Sequence, residues 1–353
     1  MNQTYHALAL YSGGLDSILA MKTIQDQGLR VLGLHFCSPF FGHPDKIDHW
    51  QRIYGLEIHP VDVHQKYIDI LRQGPRFGYG KVLNPCVDCK ITMLAHARSL
   101  LDHYGARFLI TGEVLGQRPM SQRRDTLNLI SKQAEVRDLL LRPLCAGHMP
   151  PTPMEEEGLV DRSRLHSISG RGRKDQLRLA EAYGLKEIPT PAGGCLLAEQ
   201  ESAKRFWPVL TRIPEPSPHD FALANLARQY WNKNLWVMVG RNKADNDTLE
   251  RMAQNQDLLF KAVDIQGPLA LGRCKPGMDW SEDDIREAAL FVAGFTAKKR
   301  TPGEPAQIRV TTSGQSRILQ IPQDTNAQYS TGWSDMSWDQ TRQEKQDWID
   351  AHA

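Results

Sequence analysis

The hexapeptide Ser12-Gly13-Gly14-Leu15-Asp16-Ser17 stands directly after the apolar run Ala7-Leu8-Ala9-Leu10, and it constrains the fold more than any other segment. The run reads as a buried parallel strand, because no polar residue interrupts it. Ile18 to Gln27 reads as the next helix. A strand, a small-residue turn and a helix N-terminus together cradle an anion: glycines let the backbone approach closely, and the first helical N–H groups point at the charge. Ser12 and Ser17 add hydroxyl donors, and Asp16 can hold a magnesium ion or orient the loop. This is not the Walker loop, since no Gly-Lys-Ser/Thr comes after it. The plain alternative is an ordinary strand–helix turn with a chance cluster of serine and glycine.

The chain has 353 residues, too many for one typical core, and its 41% hydrophobic and 24% charged content is that of a globular protein. No apolar run approaches the ~20 residues of a membrane span, and the first residues lack the basic-then-apolar order of a signal peptide. A cytoplasmic location is the expectation, with the six cysteines as thiols, metal ligands or catalysts rather than disulfides. A formal net charge of +2 makes no global case for nucleic acid, so any RNA contact has to come from local patches.

Strands alternate with helices over the first ~145 residues: Arg30–Phe36, Glu57–Val63 and Arg107–Thr111 as strands, with a helix over Lys90–Tyr104. Leu127–Ile130 and Leu139–Leu141 are weaker strand candidates. The pattern predicts an α/β fold with a parallel sheet covered on both faces, and ligands beyond the carboxyl ends of its strands. Helix Lys174–Tyr183 comes after a proline-rich acidic interval, and the first domain is placed at 1–204. Residues 205–233, with four prolines from Pro208 to Pro218, read as a linker holding one short helix, Asp220–Tyr230. An α+β domain is expected over 234–325 and a polar tail over 326–353.

Asn84-Pro85-Cys86-Val87-Asp88-Cys89-Lys90 puts a C-x-x-C at the start of a helix. The helix dipole and Lys90 are expected to lower the thiol pKa values and favour thiolates. A zinc site normally shows a second cysteine pair; here only Cys195, in Pro191-Ala192-Gly193-Gly194-Cys195, adds to the first. Cys86, Cys89 and Cys195 can ligate three irons of a [4Fe–4S] cluster, or act as persulfide carrier and resolving thiol. In the plainest case Cys195 is merely packed and the pair is a weak metal site. Cys37, Cys145 and Cys274 read as inert.

The S-G-G-x-D-S loop resembles the PP-loop of ATP-pyrophosphatases, which adenylate a substrate oxygen and release pyrophosphate. Together with N-P-C-x-x-C-K and the segment Thr111-Gly112-Glu113-Val114-Leu115-Gly116-Gln117, it is similar to the tRNA thiolation enzymes of that class. T-G-E-x-L-G-Q looks like the segment of 4-thiouridine synthetases, and the cysteine pair sits where 2-thiouridylases carry a catalytic cysteine. The resemblance spans about residues 5–200. It implies Mg2+ and ATP bound by Ser12, Gly13, Gly14, Asp16, Ser17, Gly112 and Gln117, and sulfur handled by Cys86, Cys89 and Cys195. Three cysteines bring the pattern nearer the cluster-dependent 2-thiolating enzymes.

The series that opens with Val239-Gly240-Arg241-Asn242-Lys243-Ala244-Asp245-Asn246-Asp247 lies within about 234–325 and looks like the NFACT-R domain, an RNA-binding module. We expect tRNA to be held there rather than by the N-terminal THUMP domain of 4-thiouridine synthetases. The family's D-x-W-F-H stands here as Asp257-Leu258-Leu259-Phe260-Lys261, so no aromatic is available at position 259 for stacking. Arg241, Asn242 and Lys243 are candidate RNA contacts, although Asn242 and Asn246 equally suit turns. The basic stretch Arg162, Arg164, Arg171, Arg173, Lys174 and Arg178 is a second candidate RNA surface, or else a solvated face paired with Glu155–Glu157.

These expectations combine into an ATP-dependent tRNA sulfurtransferase that makes 2- or 4-thiouridine from sulfide, a cysteine desulfurase or a carrier protein. The competing expectations are an adenylating enzyme with a non-tRNA substrate, and a non-catalytic RNA- or ribosome-binding protein.

Overall fold

Alternate residues of β1 (Ala7–Leu10) feed the two halves of one core: Ala7 and Ala9 join one apolar cluster, Leu8 and Leu10 the other. Such two-sided burial is possible only in a sheet covered on both faces. The computed structural model that shows this describes residues 4–118, 121–189, 194–233, 235–274, 277–296, 301, 303–322 and 332–352. Its chain forms two compact units, Met1–Ala198 and Glu199–Ala353.

In the first unit β1 is the centre of a five-stranded sheet with β2 (Val31–Cys37), β3 (Glu57–Asp62), β4 (Phe108–Thr111) and β5 (Leu140–Leu141). The order is β3-β2-β1-β4-β5 and every pairing is parallel, with Ala7 opposite Val31 on one side and Phe108 on the other. The helices are α1 (Leu15–Gln25), α2 (Ile47–Tyr54), α3 (His64–Gln73), α4 (Cys86–Ser99), α5 (Leu101–Tyr104), α6 (Arg124–Gln133), α7 (Pro153–Glu156) and α8 (Lys174–Ala182). Ile18 of α1, Trp50 of α2 and Ala180 of α8 pack on the Ala7 side; Leu94 and Ala97 of α4 and Ile130 of α6 pack on the Leu8 side.

Three expectations change here. Leu127–Ile130, a strand candidate, lies inside α6, where Leu127, Ile130 and Ser131 share the buried face at helical spacing. The helix α2 has no counterpart among the expected elements, although Ile47, Trp50 and Tyr54 carry that same spacing. Leu139–Leu141 does contribute a strand, shortened to the two residues of β5.

The expected linker is instead structured. Helices α9 (Gln200–Arg212) and α10 (Pro218–Leu226) and strand β6 (Arg228–Asn232) fill it, and all belong to the second unit. Its prolines punctuate helices rather than prevent them: Pro208 lies within α9, and Pro218 starts α10 behind a Ser217–Asp220 capping box. Phe206, Trp207, Val209 and Leu210 give α9 a buried face that a linker would not have.

The rest of the second unit runs β7 (Leu235–Val239), α11 (Lys243–Met252), β8 (Leu258–Ala262), β9 (Leu269–Cys274), α12 (Glu282–Gly294), β10 (Ala306–Thr312), β11 (Gln315–Ile321) and α13 (Trp338–His352). Its sheet has the order β11-β10-β8-β9-β7-β6 with antiparallel pairings. Ile285, Ala288, Ala289 and Val292 of α12 pack on Val237, Phe260 and Ile308. The expected polar tail thus ends in a helix, held to α9 by the Trp207 Nε1 donating to Glu344 at 3.0 Å and by the edge-on contact of Trp207 with Trp348. Positions 234, 325 and 326, the expected domain boundaries, lie outside the described residues.

Candidate active site

The turn from β1 into α1 is compact because its glycines allow it. Gly13 has φ +78°, and a Cβ there would meet the Trp50 ring at 2.6 Å. The Ser17 hydroxyl donates to the Gly14 carbonyl at 2.7 Å and lies 3.3 Å from the Ser12 hydroxyl. Ser17 is thereby committed to shaping the loop, while Ser12 remains exposed. The first N–H groups of α1 have no partner within the helix, as at any helix start.

The loop after β4 closes against this turn. Gly112 is in backbone contact with Asp16 and Ser17, and the Gln117 side chain donates to the Asp16 carboxylate at 3.0 Å. Burial raises the Asp16 pKa above the ordinary carboxyl range, opposed by Gln117, Arg173, Gln176 and Arg118. Arg173, expected to contact RNA, therefore acts electrostatically on the loop aspartate. Nothing in the sequence marks Gln176. It is fully buried, and although near enough to favour the charged form of Asp16, its amide closes no hydrogen bond of ordinary geometry among the described residues.

Next to Gly112 lies Glu113, buried and paired with the equally buried Arg142 at 3.0 Å. Thr111 donates to it as well, at 3.1 Å. Burial alone would raise the Glu113 pKa, but Arg142 and Lys90 outweigh it and hold the carboxyl below its ordinary range. Lys90 stands 4.0 Å from the other Glu113 oxygen. This pair ties the first turn of α4, which carries Cys86 and Cys89, to the wall of the loop.

Cys195 reaches the cysteine pair through two backbone hydrogen bonds made by the residues just after it: Leu196 N–H to the Phe40 carbonyl at 2.9 Å, and Leu83 N–H to the Leu197 carbonyl at 3.0 Å. The three sulfurs share one electrostatic neighbourhood with Tyr67 of α3, whose hydroxyl donates to Cys89. The Asn84 amide donates to Cys86 at 3.1 Å. The expected thiolate character is not found at Cys89 or Cys195. Cys89 is only half-buried by surface, yet the packing around its sulfur pushes its pKa up to about 11, against the hydrogen bond from Tyr67 and the charge of Lys90. Burial, with Cys89 nearby, pushes Cys195 up to about 12. Among the described residues no three His, Cys, Asp or Glu side chains form a ready site for one metal ion. The donors gathered here are three soft thiols, a set suited to iron–sulfur ligation. Gly193 and the residues from Thr190 onward that precede it lie outside the described residues. Cys37 and Cys145 are buried, and burial raises the thiol pKa of both.

The two basic candidates divide. Arg162 is paired with Glu155 and donates to the Ala146 and Met149 carbonyls, and Arg164 is paired with Asp26, so both serve the fold. Arg171 and Lys174 are exposed, and Lys174 opens α8. In the second unit Asn242 caps α11 by accepting from the Asp245 N–H at 2.9 Å, and Asn246 accepts from Leu269 N–H at 3.1 Å. The local turn role is thus seen at Asn242, whereas Asn246 lies within α11 and holds the distant Leu269 backbone. Arg241 is paired with Asp245 at 2.7 Å, and Lys243 is exposed.

Comparison with known proteins agrees with this division of the chain. Residues 3–148 match the family model of thiamine biosynthesis protein (ThiI), and residues 230–333 match that of the NFACT protein RNA binding domain. The tRNA-specific 2-thiouridylase MnmA of Nitratidesulfovibrio vulgaris is 36% identical over 112 residues, covering 29% of this chain and 31% of its own. The tRNA sulfurtransferase of Shewanella denitrificans is 32% identical over 173 residues, 45% of this chain and 31% of its own. The chain thus spans about a third of the length of these relatives. A solved structure of the U34-tRNA thiolase NcsA from Methanococcus maripaludis with its [4Fe-4S] cluster aligns with TM-score 0.34 and 16% identity, over 54% of this chain and 61% of that one. No helix among the described residues is long and apolar enough to cross a membrane. Residues 3–148 are thus similar to the thiamine biosynthesis protein (ThiI) family, and residues 230–333 to the NFACT protein RNA binding domain.

Proposed function

We propose that the protein is a cytoplasmic, ATP-dependent tRNA sulfurtransferase that converts a uridine to 2- or 4-thiouridine. The observation that carries this reading is the Lys90–Glu113 pair, which links the cysteine-bearing turn of α4 to the residue beside Gly112, itself packed on Asp16. Nucleotide activation and sulfur delivery then share one edge of one sheet.

In this reading the α1 N–H groups and Ser12 hold the phosphates of ATP, and Asp16 holds Mg2+ with Gln117 orienting its carboxylate. The uracil oxygen attacks the α-phosphorus, the bond to the leaving pyrophosphate breaks, and the base becomes an adenylated intermediate. A sulfur nucleophile then adds to the activated carbon and the carbon–oxygen bond breaks, releasing AMP. Cys86, Cys89 and Cys195 would hold a [4Fe–4S] cluster, which when bound supplies an iron without a protein ligand for incoming sulfur. The raised pKa values of Cys89 and Cys195 argue against attack by a free thiolate, and a bound metal would have to displace the proton that burial retains. The sulfur comes from sulfide, a desulfurase or a carrier protein, and the second unit holds the tRNA.

Nucleoside mass spectrometry of tRNA from a strain lacking the protein tests the reading. We expect one thiolated uridine to disappear and to return with the intact gene but not with Asp16→Ala. An unchanged set of thiolated nucleosides would overturn it.

A further inference from the structure

We propose that a cleft of about 390 Å³ between α9 and β6 of the second unit binds the phosphodiester backbone of RNA, with Lys204, Arg205 and Arg228 as its cations. The inference rests on the RNA-binding role proposed above and assigns it a surface. The cleft is lined from both sides of the region that matches the NFACT model: Lys204 and Arg205 come from α9, before it, and Asp335 from the approach to α13, after it.

The charges in the cleft are unequally satisfied. Lys204 is paired with Glu201 at 2.7 Å and Arg241 with Asp245 at 2.7 Å. Among the described residues Arg205 and Arg228 form no close ion pair, although Glu201 and Glu199 favour the charge on Arg205 and Asp245 interacts with Arg228. Arg205 donates to the Glu201 and Asn225 carbonyls and to Ser202, at 3.0 to 3.4 Å. Among the described residues Arg228 donates to the Gly240 carbonyl, at 3.4 Å, and lies over the Phe295 ring. Each guanidinium keeps forked N–H donors of the kind that fit phosphate. Burial, with Arg241 close by, disfavours the charge on Arg205, and an anion in the cleft would offset that cost.

The aromatics beside these cations do not offer a stacking platform. Trp231 is 3% exposed and stacks on Trp236 at 5.0 Å, and Tyr230 packs against Phe291 and Phe295. Recognition at the cleft is therefore of the backbone and not of bases.

The test measures full-chain affinity for tRNA, and for an unrelated RNA of equal length, across a range of salt concentrations. We expect Lys204→Gln/Arg228→Gln to weaken both RNAs alike and to lower the log–log salt slope by about 2, with Mg-ATP affinity and melting temperature unchanged. Lys204→Glu, which leaves both arginines and their packing in place, should weaken both RNAs in the same way. Unchanged affinity and slope in Lys204→Glu, with the parent protein binding tRNA, would overturn the cleft assignment alone. A parent that binds no RNA would overturn the RNA reading as well. Inorganic phosphate that binds the parent and is lost in the variants, with RNA binding unchanged, would assign the cleft to a free anion and overturn the proposal.

Discussion

A Cβ on Gly112 would lie 2.5 Å from both the carbonyl carbon and the carbonyl oxygen of Asp16, and 2.6 Å from the Ser17 nitrogen. These are backbone atoms at the start of a buried helix, so they cannot turn aside as a side chain can. Gly112→Ala must push the β4 loop off the nucleotide turn. We expect a stability loss of about 1–3 kcal/mol and at least tenfold weaker Mg-ATP binding, read by denaturant unfolding and calorimetry. Unchanged ATP affinity in this variant would show that the two loops do not act together.

Glu113 makes stability depend on pH in a defined direction. Its folded pKa is depressed, whereas the unfolded carboxyl titrates near ~4.3. Between those values the unfolded chain binds more protons, so stability rises with pH there. The contribution is complete above about pH 5 and is lost as pH falls through the depressed value. Glu113→Ala would leave Arg142 buried without its partner, at a cost of about 3–5 kcal/mol. The gap between parent and variant in urea unfolding should stay level down to about pH 5 and then narrow as the pH falls toward ~3, and a gap that stays constant throughout would rule out this account.

The parts of this molecule that are legible in the sequence are those fixed by neighbours in the chain. The apolar run Ala7–Leu10 and the glycines behind it announce a buried strand and its turn; the strand lies where it is expected, and the helix starts three residues before Ile18, at Leu15, taking in Asp16 and Ser17. The features that escape the sequence depend on distant partners. Nothing near Lys90 says that its ammonium stands beside Glu113. The helix start and Lys90 are visible next to Cys89 and argue for a thiolate; the burial that reverses the balance is not. The number of prolines in 205–233 suggests a linker, whereas their positions are compatible with the two helices found there.

The cysteine site yields a labelling experiment. With pKa values near 11 and 12, Cys89 and Cys195 are neutral thiols at pH 7.5, and the thiolate is the species that alkylates. In metal-free protein both should react with iodoacetamide more than tenfold more slowly than a free thiol of ordinary pKa, ~8.5, and the rate should climb with pH through 10. Peptide mass spectrometry separates the sites. Fast labelling of Cys195 at pH 7.5 would contradict the burial argument and revive the persulfide-relay alternative.

Gln176 distinguishes a fold residue from a site residue. Its buried amide closes no hydrogen bond of ordinary geometry among the described residues, although it favours the charged form of Asp16, and a wholly unpartnered buried amide costs about 1–3 kcal/mol. Gln176→Leu keeps much of the volume and removes both polar atoms, so the nucleotide-free protein should be as stable as the parent or more so. Asp16 would at the same time lose one of the groups that favour its charged form, and a carboxylate that holds a proton is a poorer ligand for Mg2+. Mg-ATP binding should therefore weaken by about tenfold, equivalent to about 1.4 kcal/mol. Calorimetric titration of parent and variant measures this directly. A variant that is less stable and binds Mg-ATP like the parent would make Gln176 a packing residue and nothing more.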